Sequence, residues 1–92
     1  MILKTREYYQ AKLETSQRRA AAIEKKLLRT SKTVEWKANA AALRAERFAL
    51  IDDIKGYRVI LAHIDSGIGL SRYHDWKHAA RIINKDSIAE RR

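Results

Sequence analysis

The sequence predicts an all-α fold: an antiparallel two-helix hairpin of coiled-coil type, with a short third C-terminal helix packed on helix 2. Three observations carry this expectation. The 92 residues include no Pro and only three Gly, too few for a turn-rich β sandwich. A charged fraction of 34% stands beside 46% apolar residues, the mixture that amphipathic helices require. Apolar or small residues also recur at alternating spacings of three and four over two long stretches, as in the seam between paired helices.

The first stretch runs through Ile2, Arg6, Tyr9, Leu13, Ser16, Ala20, Ile23, Leu27, Thr30 and Val34, and predicts helix 1 over about 3–30. The hydroxyl-rich run Thr30-Ser31-Lys32-Thr33 competes for backbone groups and marks a turn, with Thr33 as the N-cap of helix 2 and Glu35 at the positive end of its dipole. The second stretch, through Trp36, Ala40, Leu43, Arg47, Leu50, Ile54, Tyr57, Leu61 and Ile64, predicts helix 2 over about 34–65. It stops at Ser66-Gly67-Ile68-Gly69, where Gly67 supplies the left-handed residue after a helix and Ile68 covers the last turn. Ser71 is the expected N-cap of helix 3, over about 72–84, with Tyr73, Trp76, Ala80 and Ile83 as its apolar face. The polar residues beyond Asn84 are expected to fray.

Folding back about Lys32 pairs Leu27 with Trp36, Ile23 with Ala40, Leu13 with Leu50 and Tyr9 with Ile54, and sets Ser16 against Arg47 as a polar layer. Helix 3 should return along the C-terminal half of helix 2, where Gly56 and Ala62 allow close approach. Helix 3 is too short to reach Ala38, Ala41, Ala42, Ala45, Phe48 and Ala49, an uncovered ridge that is the expected self-association face of a homodimer.

The formal charge of +9 implies an anionic partner. Helix 1 concentrates it. Lys4, Arg18, Lys25 and Lys32 share the outermost heptad position and Lys12, Arg19 and Lys26 the one beside it, a strip about 42 Å long at 1.5 Å per residue. Such a strip can dock on an acidic protein surface or follow a phosphate backbone. A protein groove would also require apolar anchors, and Tyr8, Leu28 and Phe48 lie off the seam. The leading reading is therefore a small non-enzymatic adaptor or inhibitor that binds an acidic protein surface. The alternative is nucleic-acid binding through the strip.

A helix-turn-helix over Ala62–Asn84 fits less well, because His63 stands where a small residue is required and Ser66 where an apolar one is. His74 and His78 are spaced as a metal pair would be, but His63 is the only other His, so no metal or other cofactor is expected. Adjacent Asp52 and Asp53 point about 100° apart on a helix and cannot share a proton; no nucleophile constellation or phosphate loop is evident. With no Cys, no signal peptide and no apolar run long enough to span a bilayer, the expected location is cytoplasmic, with no membrane partner. The triplet Trp36-Lys37-Ala38 lacks the glycine of the Trp-x-Gly turn in small secreted helical hairpins, so no resemblance to that family follows.

Overall fold

A computed structural model describes residues 3–29 and 34–90. It is all-helical: α1 (Arg6–Leu28), α2 (Val34–Ser66), a 3₁₀ turn (Leu70–Arg72) and α3 (Trp76–Glu90), with no strand among the described residues. The described part measures 49 × 30 × 22 Å. The turn between α1 and α2, with Lys32 and the expected cap Thr33, lies outside the described residues.

α1 begins at Arg6 because Thr5 caps it, its hydroxyl accepting the Tyr8 N–H at 3.2 Å. Glu7 in the first turn and Lys25 and Lys26 in the last both complement the helix dipole. α2 ends at Ser66, and Gly67 adopts φ 71°, the left-handed conformation that carries little penalty only for Gly, while its N–H donates to the His63 carbonyl at 2.8 Å. Around that bend Ser66 donates to the Ala62 carbonyl at 2.7 Å, accepts the Ile68 N–H at 3.2 Å and is hydrogen-bonded to the Tyr73 hydroxyl at 2.8 Å. His63 donates from Nδ1 to the Ile68 carbonyl at 2.6 Å. The two residues that fit a helix-turn-helix least thus satisfy the polar groups of this bend. Ile68 itself is exposed and does not cover the last turn.

Three expectations for the C-terminal region are corrected. Ser71 lies inside the 3₁₀ turn and does not cap a helix, and α3 starts at Trp76 instead of residue 72. The helix runs on to Glu90 instead of ending at 84. Its buried face is Ala79, Ile82 and Ile83, rotated away from the predicted one, so that Trp76 remains 37% exposed. Asp86 extends this face one turn further, half-buried near Tyr9 and Tyr57, with its Oδ2 buried and without a hydrogen-bond partner among the described residues.

α1 packs on α2, and α2 on α3. Arg6 in the first turn of α1 makes a two-pronged pair with Asp65 near the end of α2, at 2.8 and 3.2 Å. Arg19 does the same with Glu46 at 2.7 and 3.0 Å, and Arg47 donates twice to one Glu24 oxygen at 3.0 and 2.9 Å. Arg47 therefore engages Glu24 across the helices, and not Ser16 as the predicted polar layer required. The guanidinium groups hold the Glu46 and Asp65 carboxyls below their ordinary pKa, mainly by hydrogen bonding.

The core is confined to one end. Tyr9 and Leu13 from α1, Val59, Ile60 and Leu61 from α2, and Ala79, Ile82 and Ile83 from α3 form one buried cluster, with Ile54, Tyr57, Leu70 and Tyr73 packed against it. Gly56 marks the crossing of α2 and α3: a Cβ there would collide with the tip of Ile82 and sit 2.8 Å from the His78 carbonyl oxygen. Away from this end α1 and α2 form a two-helix arm whose buried apolar residues are Ala20, Ile23 and Ala40.

Burial, aided by the Asp53 and Asp86 charges, pushes the Tyr57 hydroxyl up to about 12. An unfolded phenol ionises near about pH 10. The unfolded chain therefore loses this proton first, and the stability linked to it is complete below about pH 10 and lost as the pH rises toward about 12. A tyrosinate absorbance titration should show Tyr57 ionising only as the fold is lost. In Tyr57→Phe this contribution to alkaline unfolding should disappear. Ionisation of all four tyrosines near about pH 10 in the folded protein would contradict the burial.

Candidate functional site

The basic strip of α1 faces outward, but its members differ. Lys4 and Lys12 hold their ammonium groups 4.6 and 5.6 Å from the centre of the Tyr8 ring. Tyr8 stacks edge-on against Tyr9 at 5.3 Å and is half-buried against the core, so it is part of the fold and not a free anchor. Arg18 lies 3.7 Å from Glu14, with its side chain 80% exposed. Arg19 is drawn across to Glu46 on α2. Lys25 and Lys26 are exposed, and Lys32 lies outside the described residues. The strip thus contains cations open to a partner, chiefly Lys25, Lys26 and Arg18, alongside an arginine that ties the two helices together.

The α2 ridge is open. Ala38, Ala41, Ala42, Ala45 and Ala49 are exposed, and Phe48 is 72% exposed. These alanines lie on the side of the helix that carries Gly56, Val59 and Ile60 three to five turns further on, at helical periodicity. There α3 covers it, and Gly56, Val59 and Ile60 are buried. Leu28, at 81% exposure, adds an apolar side chain at the end of α1. A shallow depression lined by Lys26, Asn39, Ala42, Leu43 and Glu46 joins the basic strip to the ridge.

Elsewhere the constellations separate. His78 turns Nδ1 toward Asp52 at 3.8 Å, whereas His74 is exposed. No group of three or more His, Asp or Glu side chains converges among the described residues in the way a metal ion would require. Asp52 and Asp53 both face Arg81, at 3.9 and 3.3 Å, as ion-pair partners across α2 and α3. Among the described residues no helix is long and apolar enough to cross a membrane.

One surface escaped the sequence reading. Because α3 is rotated, Trp76, Ala80, Asn84 and Ile88 form a row on its outward face, flanked by Lys77, Arg81 and Lys85. Its signal is a row at i, i+4, i+8 and i+12, which the apolar pattern masks by predicting Trp76 and Ala80 on the buried face. No protein-family model matches the chain, and neither does any curated protein or solved structure.

Proposed function

We propose that this chain is a small non-enzymatic interaction module, with α1 and α2 running antiparallel as a coiled-coil-like hairpin, that docks its arm on an acidic surface of a protein partner. The pairing of Arg6 with Asp65 and of Arg19 with Glu46 supports the antiparallel course, since positions advance along α1 as they recede along α2. One observation carries the functional reading: the arm exposes two large apolar side chains, Leu28 and Phe48, and also the cations Lys25 and Lys26. Apolar anchors on the same element pair as positive charge suit a protein partner, where anchors supply affinity and charge supplies steering. A phosphate backbone gains nothing from Phe48. The uncovered alanine ridge supports self-association through α2, because it continues a face that already packs against a helix.

A photoreactive side chain placed at position 48 should capture a protein with an acidic contact surface in cells. Capture should be lost in Arg18→Glu/Lys25→Glu/Lys26→Glu, a variant that spares Arg19 and so leaves its cross-helix pair in place. Capture abolished by nuclease would overturn this reading in favour of nucleic acid. Light scattering should show a dimer at tens of micromolar that Ala42→Glu or Ala49→Glu converts to a folded monomer. A monomeric unmodified chain at that concentration would refute self-association.

A further inference from the structure

We propose that the outward face of α3 binds an acidic amphipathic helix of a partner protein, at a surface separate from the α1–α2 arm. The centre of this face is a row of Trp76, Ala80, Asn84 and Ile88, spanning about 18 Å at 1.5 Å per residue. Trp76 is 37% and Ile88 58% exposed, although Ala79, Ile82 and Ile83 already anchor the opposite face of α3 in the core. Ile88 lies outside the core cluster, and both side chains keep apolar surface open to a partner. A partly exposed Trp and an Ile on an unpartnered helix face are the kind of side chains that anchor interfaces.

The cations identify the occupant. Lys77, Arg81 and Lys85 recur one turn apart along this face. Arg81 is engaged by Asp52 and Asp53 of α2. Lys77 lies 5.9 Å from the centre of the Trp76 ring, and among the described residues no carboxylate pairs with Lys77 or Lys85. Two ammonium groups with no carboxylate partner, about 12 Å apart along the helix and beside an apolar row, complement a helix with an apolar row flanked by carboxylates two turns apart. Two copies packed through this same face would set Lys77 and Lys85 against the same lysines of the other copy. A bilayer surface favours an unbroken apolar face, whereas here Asn84 interrupts the row. A nucleic acid would leave Ile88 unused.

The probe is a fluorescein-labelled synthetic helix of about 16 residues, with Leu at i, i+4 and i+8 and Glu beside them two turns apart, titrated with the full chain at physiological salt. Binding in the micromolar range is expected. Lys77→Glu/Lys85→Glu should weaken it at least about tenfold, and a peptide with Lys in place of Glu should recover the loss. Trp76→Ala and Ile88→Asp should weaken it comparably, with the circular dichroism melt of Ile88→Asp unchanged, since Ile88 lies outside the core. Arg18→Glu/Lys25→Glu/Lys26→Glu should bind the peptide normally, which separates this face from the arm. Absence of peptide binding at about 1 mM would overturn the proposal, as would equal affinity in the α3 variants. A response of this face to phosphatidylserine vesicles or to a single-stranded oligonucleotide, without one to the peptide, would also overturn it.

Discussion

Replacing Gly56 with Val should destabilise the fold by about 3 kcal/mol and lower its melting temperature by roughly 12 to 24 °C. The loss follows from the crossing of α2 and α3, where an added Cβ meets the Ile82 tip and sits 2.8 Å from the His78 carbonyl oxygen. The Ile82 side chain can swing aside, but the His78 backbone can move only if α3 lifts from α2. Gly56→Ala gives the cleaner sign. Ala favours a helix over Gly by about 1 kcal/mol, so a loss of stability in that variant has to come from the crossing and not from α2 itself. Urea unfolding followed by circular dichroism measures both variants, and a gain of stability with Ala would mean that the two helices stand further apart than described.

Truncating Ile60 or Ile83 to Ala should cost about 4 kcal/mol each, a large share of the stability of so small a chain. Ile60 is fully buried and Ile83 nearly so, both within the three-element cluster, where the backbones around them cannot close a cavity. Leu50 is only partly buried, on the arm, and Leu50→Ala should cost less, about 1 to 2 kcal/mol. The contrast is the test. Equal losses in urea unfolding at positions 50 and 60 would mean that burial extends evenly along the α1–α2 seam.

The limits of α2 and the bend at Gly67 were legible in the sequence, because they depend on local chemistry: a sustained 3,4 pattern, then a residue free to adopt positive φ. The register of α1 on α2 was less so. The seam offers Ser16 opposite Arg47, but Glu24 presents a carboxylate within reach, and a charge-assisted bond outweighs a hydroxyl contact. The face of α3 was misjudged because two stripes compete on it. Tyr73, Trp76, Ala80 and Ile83 make the more apolar one, yet the helix buries Ala79, Ile82 and Ile83, whose small and branched side chains fit against Gly56 as an indole would not. Asp86 on the buried side disguised the choice further. Of the candidate anchors, Phe48 and Leu28 were found by their distance from the seam. Tyr8 met the same criterion, but it is claimed by the Tyr9 ring and by two lysines.

Confining the core to one end gives the molecule two regimes of cooperativity. Segments with few buried contacts open at lower free energy than the global transition, so the arm forms the less stable unit and the three-element end the more stable one. A ligand seated on the arm must first order what it touches, and part of its binding energy is spent quieting local fluctuations. In return, a ligand that favours the closed arm raises the stability of that unit in proportion to the logarithm of its concentration. The outward face of α3 belongs to the firmer unit, and a ligand there would carry much less of that cost. With both proposed surfaces in use, one short chain would combine a pliable contact, suited to rapid exchange and adaptable fit, with a preorganised one.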